Sequence, residues 1–176
     1  MYVLLTVSGR DRVGIVQDVA EALLHIRANI EDSSMTALRG RFTMMLIVHL
    51  HDTTSMGELK AVLAELEQRT ALRVQSQLLQ DDEVASVAAE PDAVVTVSGA
   101  DQAGIVFAVS CALAQVGVSI VDVSTQARHN DGGDSYMMVL EVCAGEALPK
   151  LPALLQPIGK DLAVDIHVHD LEHDIL

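Results

Sequence analysis

The sequence predicts an α+β protein made of two copies of one small unit, and three observations lead to this prediction. Residues 6–16 read TVSGRDRVGIV and residues 96–106 read TVSGADQAGIV, which agree at eight of eleven positions at an offset of 90 residues. In both halves, short β-rich runs alternate with stretches whose apolar residues recur at helical spacing. The length of 176 residues leaves each copy about 80 to 90 residues, the size of one small domain.

In the first copy, the patterns predict the order strand, helix, strand, strand, helix, strand. Asp11 or Arg12 stands where the first helix would be capped, and Asn29 follows the helix as a stop signal. The stretch 53–55 offers a cap for the second helix. The predicted elements are a strand over 2–8, a helix over 13–26, strands over 30–38 and 42–50 joined by a turn at 39–41, a helix carrying Leu59, Val62, Leu63 and Leu66, and a strand over 72–79.

The second copy repeats this order. Its second helix is predicted to have Pro149 at its start and Gly159 at its end. Its hairpin turn at 129–134 is predicted to be the longer one and mobile, with a three-residue insertion that aligns the pairs Met44-Met45 and Met137-Met138. The predicted elements are a strand over 94–98, a helix over 103–116, strands over 118–127 and 135–142, a helix over 148–158 and a strand over 162–169.

This order is the split βαβ, or ferredoxin-like, arrangement. Each copy is predicted to be a four-stranded antiparallel sheet with two helices on one face, which leaves the other face free. The predicted division of the chain is a first domain over 1–80, a linker over 81–92, a second domain over 93–170 and a C-terminal tail over 171–176.

Charge and composition exclude several classes of function. The chain has 11 Lys and Arg against 25 Asp and Glu, a net charge of −14, which repels a phosphate backbone, so direct nucleic-acid binding is not expected. No apolar run approaches the roughly 20 residues of a membrane helix, and no signal peptide is recognised. We therefore expect a cytoplasmic protein without membrane contact. Cys111 and Cys143 lie in apolar patterns and are expected to be buried free thiols.

The most similar stretch of the two copies is a strand that ends in a glycine-containing loop and opens a helix. A helix start presents free backbone N–H groups to small anions, and its dipole favours a carboxylate by about 0.3–1 kcal/mol. Gly14 and Gly104 lack a Cβ, so a ligand or a partner backbone can approach closely. If Asp11 and Asn29 lie near each other, they could hold the ammonium and carboxylate groups of an amino acid.

These residues also have purely structural explanations, which the sequence leaves open. Gly14 and Gly104 can serve a tight contact between strand and helix. Asp11 and Asp101 can be simple N-caps, and Asn29 can be a helix end. The methionine pairs and Met35 are expected to fill the core or an interface.

The sequence points to neither a metal site nor a catalytic site. His49 and His51 share one strand face, as do His167 and His169, but a third ligand at a defined spacing is missing. Solvated or interface histidines are therefore expected, and no metal or other cofactor is predicted. The sequence contains no GxSxG, P-loop or CxxC motif, so we predict that the protein is not an enzyme.

The motif Asp-x-x-Gly-Ile-Val after a strand, followed by a helix and an Asn-Ile or Ser-Ile pair, resembles the ACT domain, a small regulatory module that senses amino acids. The matching residues are Asp11, Gly14–Val16 and Asn29-Ile30, then Asp101, Gly104–Val106 and Ser119-Ile120. Two such units without a third domain resemble the glycine cleavage system transcriptional repressor family. A similar tandem precedes the catalytic domain of some phosphoserine phosphatases, so the tandem alone does not fix the role.

In this family, effectors bind at interfaces between ACT units, near the first strand-to-helix loop. The serine-sensing sites of the family carry a His where this chain has Gly9 and Gly99, and Asn29 is replaced by Ser119 in the second copy, so the two copies can differ in ligand. The ligand-binding residues that the resemblance implies are Asp11, Arg12, Val13, Gly14, Asn29 and Ile30 in the first copy and Asp101, Gln102, Ala103, Gly104, Ser119 and Ile120 in the second.

The resemblance implies an amino-acid-responsive regulatory protein, with glycine or serine as the effector, that regulates transcription in glycine and one-carbon metabolism. Because the chain is acidic, we expect it to act through a protein partner such as a DNA-binding regulator, and to form a homodimer. The alternative is a ligand-free oligomerisation or docking module.

Overall fold

The protein is described by a computed structural model that covers residues 1–51, 53–85, 89–130 and 133–171. The chain divides into two compact units, Met1–Ser86 (unit 1) and Val87–Leu176 (unit 2). Of the predicted tail over 171–176, only Leu171 belongs to the described residues. Within the described part of the chain, no helix combines the length and apolarity that crossing a membrane requires.

Unit 1 has the predicted order of elements. Its four strands form one antiparallel sheet in the order β2-β3-β1-β4, and a short helix α3 (Asp81–Val84) follows the last strand. The elements are β1 (Tyr2–Arg10), α1 (Ile15–His25), β2 (Asn29–Leu38), β3 (Arg41–His49), α2 (Met56–Thr70) and β4 (Arg73–Leu78).

Unit 2 repeats this architecture, with the sheet order β6-β7-β5-β8. The predicted fold class, two ferredoxin-like α+β units, is confirmed. The elements are β5 (Ala93–Gly99), α4 (Ile105–Gln115), β6 (Ser119–Asn130), β7 (Gly133–Cys143), a 3-10 helix (Gly145–Lys150), α5 (Leu151–Asp161) and β8 (Val164–Asp170).

One face of each sheet packs against its helices, because alternate residues of the central strands are apolar. Val3, Leu5 and Val7 on β1 are each 0% exposed, while the residues between them are half-buried. On α2, Leu59 and Leu63 supply the opposing layer. Each fully buried aliphatic side chain contributes about 1.5–3 kcal/mol. Among the described residues no polar or charged side chain is buried, so apolar packing holds each unit together.

The methionine pairs divide between the two faces of the sheets. Met44 and Met138 are buried in the cores, as expected, at 6% and 0% exposure. Their neighbours Met45 and Met137 are 51% and 55% exposed on the opposite face, because successive strand residues point to opposite sides. The two cysteines are free but only half-buried, so the expectation that they are buried is wrong.

The predicted ends of the helices need correction. The N-cap of α1 is Gly14, two or three residues beyond the predicted Asp11 or Arg12, and Asn29 is the first residue of β2 and not a helix end. In unit 2, Pro149 lies inside the 3-10 helix, and Gly159 lies within α5 and not at its end. A Cβ on Gly159 would stand 2.8 Å from the carbonyl oxygen of Val164, so close packing of α5 on β8 explains this glycine.

The β6-β7 hairpin is longer than the β2-β3 hairpin because the pairing of its strands continues further. In unit 1, the two-residue turn Arg39-Gly40 joins β2 to β3, and both residues have positive φ, as in a type I′ hairpin turn. In unit 2, pairing continues to Asn130 opposite Gly133. Met44 lies opposite Val7 and Met138 opposite Val97, so the insertion comprises four residues and not the predicted three. Two of the residues predicted as a mobile loop, 131–132, lie outside the described residues.

Candidate functional site: the strand-to-helix junction

The two repeated loops share an unusual start of the helix. Gly14 and Gly104 are the N-caps of α1 and α4, with φ of 89° and 98° in the left-handed region, which other L-residues adopt at a cost of about 1–2 kcal/mol. A Cβ on Gly14 would meet only the Arg12 side chain, at 3.9 Å, and a Cβ on Gly104 would meet nothing within 4 Å. Backbone conformation therefore explains both glycines, and the alternative of a tight packing contact is wrong.

These helix starts lack a side-chain cap. Among the described residues, no side chain caps α1 or α4, so simple N-capping by Asp11 or Asp101 is ruled out. The first bonds of the two helices run from the N–H groups of Asp18 and Ala108 to the carbonyls of Gly14 and Gly104, each at 2.9 Å. The N–H groups of the three residues between Gly14 and Asp18 therefore have no acceptor within the helix. Both units therefore present several backbone N–H donors at the start of their first helix.

Helix α2, unlike α1 and α4, has a side-chain cap at its start. The Ser55 hydroxyl accepts a hydrogen bond from the Glu58 N–H, and the Glu58 carboxylate accepts one from the Ser55 N–H. This reciprocal pair confirms the cap predicted at 53–55. These bonds hold the pKa of the Glu58 carboxyl below its ordinary value. The contrast is that Ser55 satisfies one N–H of the first turn of α2, that of Glu58, whereas no side chain does so in α1 or α4.

The loop of unit 1 is fixed at its two ends. The N–H of Asp11 donates to the carbonyl of Gly40 in the hairpin turn at 2.9 Å. The Arg12 guanidinium donates to the Asp18 carboxylate at 2.5 Å, and Val13 is 99% exposed at the tip. Asp11 and Arg12 are both exposed, so both charges border the uncapped helix start.

The loop of unit 2 has the same backbone but different side-chain contacts. The Gln102 amide donates to the carbonyl of Leu162, where unit 1 has the Arg12–Asp18 ion pair. Burial and, to a smaller extent, the charge of Asp101 raise the pKa of Tyr136 above its ordinary value. Ala103 is exposed at the tip. The two loops therefore present different chemistry to a ligand.

The glycines at the ends of the first strands lie close to the residue that precedes or begins the last strand of each unit. A Cβ on Gly9 would stand 2.6 Å from Leu72 Cδ2, and a Cβ on Gly99 would stand 2.8 Å from Val164 Cγ1. At Gly99 the backbone of Val164 lies 3.1 Å from the Cβ position, so a His there would overlap the start of β8. At Gly9 the close neighbour is the end of the flexible Leu72 side chain, which a larger residue would have to displace.

The other predicted ligand residues lie at the opposite end of each sheet. Asn29 shares a row with His49 and Tyr2, whereas the loop follows Arg10. These rows are separated by the length of β1, about 26 Å at the rise of a strand. Ser119 likewise pairs with Cys143, far from Gly99. One unit therefore does not bring Asp11 and Asn29, or Asp101 and Ser119, together, because the helix between them carries the chain back across the sheet.

The distant residues share a local distortion. The register of β2 with β3 shifts between Ile30 and Asp32, and that of β6 with β7 shifts between Ile120 and Asp122. Such bulges bend an edge strand and re-aim its side chains. Asn29 is exposed, and its amide donates to the Glu31 carboxylate at 2.9 Å. Both units therefore carry the same irregularity directly after the predicted Asn-Ile or Ser-Ile pair.

Next to the loop of unit 1 lies a cavity that sequence reasoning missed. It has a volume of about 460 Å³ and shares Arg12 with the predicted site. We call it the arginine cavity; its lining residues are Ser8, Gly9, Arg10, Arg12, Arg41, Thr70, Ala71 and Arg73. The predicted strands place Arg10 and Arg41 near the same end of the sheet, and this was the available sequence signal.

The rings of each histidine pair lie near each other, although His51 follows the end of β3 at His49, whereas His167 and His169 are both on β8. The ring centroids of His49 and His51 are 5.3 Å apart, and those of His167 and His169 are 6.4 Å apart. Within the described ranges, no group of three His, Cys, Asp or Glu side chains converges as a metal site would require.

Comparisons with known proteins agree with this geometry. A family model described as the ACT domain matches residues 1–77 and 92–169, which is most of each unit. A UPF0237 protein of Corynebacterium diphtheriae is 33% identical over 84 residues, which are 46% of this chain and 94% of that protein. A UPF0237 protein of Listeria monocytogenes is 43% identical over 65 residues, which are 36% of this chain and 73% of that protein. These relatives therefore match a stretch about as long as one unit.

Two solved structures extend the likeness to nearly the whole chain. A protein of unknown role from Galdieria sulphuraria has a TM-score of 0.77 and 27% identity over 97% of this chain and 98% of that one. A protein assigned as a candidate glycine cleavage system transcriptional repressor has a TM-score of 0.70 over 96% of this chain and 95% of that one, with 17% identity, which shows a shared fold alone. Both units match the family model, and the chain therefore belongs to the ACT domain family.

Proposed function

We propose that this regulatory protein binds a small amino acid, glycine or serine, at the strand-to-helix junctions of its ACT domains. The observation that carries the proposal is the pair of uncapped helix starts at Gly14 and Gly104, each preceded by an exposed Asp. Backbone N–H groups at a helix start bind a carboxylate, and the adjacent Asp11 or Asp101 attracts an ammonium group. Together these groups match the zwitterion that all amino acids share.

The proposed site is completed by a second copy of the chain. Strand β2 is an edge of its sheet, and its residues are exposed along its whole length. An unpaired edge strand is a template for pairing with another chain. If two copies pair antiparallel through β2, Asn29 of the partner subunit comes to the same end of the joined sheet as Asp11. The proposed homodimer therefore replaces a separation of about 26 Å along the strands by one of three strand spacings, about 14 Å, across the joined sheet, a distance that an effector and the side chains around it would have to span.

Ligand binding at such an interface regulates through association. An effector that contacts both copies binds the paired state better than the separate one, and this difference shifts the equilibrium. At an effector concentration 100 times Kd, the shift is about 2.7 kcal/mol. We propose that the protein controls transcription in glycine and one-carbon metabolism through a protein partner such as a DNA-binding regulator. In this proposal it acts in the cytoplasm, without catalysis and without direct contact to nucleic acid or membrane.

A thermal-shift panel of the standard amino acids tests the ligand. We expect glycine or serine to raise Tm selectively, and we expect Asp11→Ala to lose the shift contributed by unit 1. Asp101→Ala reports on the matching site of unit 2. Asp161→Ala removes the same charge at the exposed end of α5 and should leave the response intact. Sedimentation with and without the effector measures the association.

Other outcomes separate the proposal from its alternative. A panel without any selective shift would favour a ligand-free oligomerisation or docking module. A gel shift that shows tight direct binding to DNA at low salt would contradict the partner-mediated mechanism. In the organism of origin, deletion of the gene should remove the response of glycine-cleavage transcripts to added glycine. Unchanged transcripts would contradict the transcriptional role.

A further inference from the structure

The arginine cavity gathers positive charge in a chain that is strongly acidic. Arg10, Arg12, Arg41 and Arg73 line it, which is four of the 11 Lys and Arg residues in a chain of net charge −14. None of the lining residues is acidic. Four arginines around one cavity, without an acidic lining residue, favour an anion as its ligand.

The register of the sheet builds the cluster from three strands. Arg10 lies directly opposite Arg41, so their Cβ atoms are about 4.5–5.5 Å apart. Arg73 lies opposite Ser8, the residue two positions before Arg10 on the same face of β1. That face is the one without helices, and Arg10, Arg41 and Arg73 are exposed on it. Their guanidinium groups can therefore reach a ligand on the open side of the sheet.

Within the described residues, the protein neutralises one of the four charges of the cluster. In the described part of the chain, Arg12 is the one member of the four with an ion pair, to Asp18. Like charges directly opposite each other in a sheet are destabilising, so the Arg10–Arg41 pair costs stability when no anion is bound. A bound anion would remove this repulsion.

We propose that the arginine cavity of unit 1 binds a small molecule that carries phosphate groups. Guanidinium forks match phosphate oxygens in pairs, and three unpaired arginines call for a ligand with several negative charges. A zwitterionic amino acid has no net charge and does not meet this need, so the cavity takes a different ligand from the proposed amino-acid site, with which it shares Arg12. A cavity of about 460 Å³ fits a small ligand, whereas the net charge of the chain opposes nucleic acid.

Unit 2 provides an internal control. Its matching cavity, about 450 Å³, contains one arginine and one acid, Arg128 and Asp165. Asp165 lies opposite Ser98 where Arg73 lies opposite Ser8. Because the charges in the second cavity cancel, we expect one phosphate site per chain and not two.

Calorimetric titration of the full chain with pyrophosphate, at constant ionic strength, tests the proposal. We expect saturable binding at one site per chain. Arg41→Gln and Arg73→Gln should each weaken it at least tenfold, because each removes a charge-assisted bond. Arg41→Lys keeps the charge but not the fork and should be intermediate, whereas Arg128→Gln should bind as the wild type does. Circular dichroism of each variant confirms that it is folded.

Four results would overturn the proposal: no saturable binding of pyrophosphate, equal loss of binding in Arg128→Gln, citrate binding as tightly as pyrophosphate, or duplex DNA binding more tightly than pyrophosphate at the same salt. The amino-acid response is measured in the same variants. A glycine or serine shift that persists in Arg41→Gln while pyrophosphate binding is lost separates this site from the proposed amino-acid site. Failure of either site therefore leaves the other testable.

Discussion

Replacement of Gly99 by alanine tests how the start of β8 packs against the end of β5 in unit 2. The new Cβ would stand 2.8 Å from Val164 Cγ1, 3.1 Å from Val164 Cα and 3.2 Å from its Cβ. Favourable carbon contacts lie at about 3.5–4.0 Å. Because a backbone atom is among the close neighbours, the start of β8 must move by about 0.4 Å or more.

Gly9→Ala in unit 1 is the matched control. Its Cβ would stand 2.6 Å from Leu72 Cδ2, but the Leu72 backbone is already at an ordinary distance of 3.6 Å. A change of the Leu72 rotamer, at about 0.5–1.5 kcal/mol, relieves the overlap. Because alanine lowers the conformational entropy of the unfolded chain, the substitution also stabilises the folded state by about 0.4–1 kcal/mol in both variants. Gly9→Ala should therefore be close to neutral.

For Gly99→Ala, overpacking costs about 1–3 kcal/mol, and the entropy gain offsets part of it. We expect a net loss of about 1–2 kcal/mol in the free energy of unfolding of unit 2. For a domain of this size, each kcal/mol lowers Tm by about 4–8 °C. Amide hydrogen exchange of the full chain, followed separately for the strands of each unit, measures the free energy of opening. The loss should appear in β5 and β7 and not in β1 and β3.

Two results would refute this reasoning. If Gly9→Ala destabilises unit 1 as much as Gly99→Ala destabilises unit 2, the distinction between side-chain and backbone neighbours is wrong. If both variants are neutral, the end of β5 is looser than the contacts indicate, and the explanation for the missing His at Gly99 fails.

Two further predictions concern titrating groups. Ser55→Ala removes the N-cap of α2 and should lower the free energy of unfolding by about 1 kcal/mol at neutral pH. Because the bonds from Ser55 lower the pKa of Glu58, their contribution to stability is present above the ordinary pKa of Glu58 and is lost as pH falls through its pKa in the folded protein. In urea unfolding the wild type and the variant should therefore converge in acid, and a difference that stays constant with pH would contradict the contribution of Glu58 to the cap. Burial and, to a smaller extent, Asp101 raise the pKa of Tyr136 above its ordinary value of 10.0. The stability that the neutral phenol of Tyr136 contributes is therefore fully present below that pH and is lost as pH rises through the pKa of Tyr136 in the folded protein. Tyr136→Phe should remove this alkaline loss, and ultraviolet absorbance of the phenolate should show an earlier titration in Asp101→Asn; an unchanged titration would mean that Asp101 does not face the phenol.

The proposed functions rest on features of different kinds. The amino-acid site uses backbone N–H groups that the loop leaves unbonded, so it depends on the conformation of Gly14 and Gly104. The arginine cavity uses side chains that three strands place together. The first feature is present in both units and the second in unit 1 alone, so the two measurements can succeed or fail independently.

The sequence by itself determined the repeat, the order of the elements and the fold class. These features are local: strand and helix periodicities are readable in short windows, and a glycine loop marks each junction. The cap at Ser55 was readable for the same reason, since its partner Glu58 is three residues away. The helix starts at Gly14 and Gly104 were misplaced because Asp is the commoner cap, and the left-handed conformation of the glycines is not readable from their neighbours.

Only the tertiary structure decided which residues lie together. Asp11 and Asn29 are neighbours in the motif but are at opposite ends of the sheet, because α1 returns the chain before β2 begins. Arg10, Arg41 and Arg73 are far apart in sequence but share one cavity, because strand register sets which residues face each other. Register depends on packing between distant segments, so neither the separation of the first pair nor the arginine cavity could be obtained from local patterns.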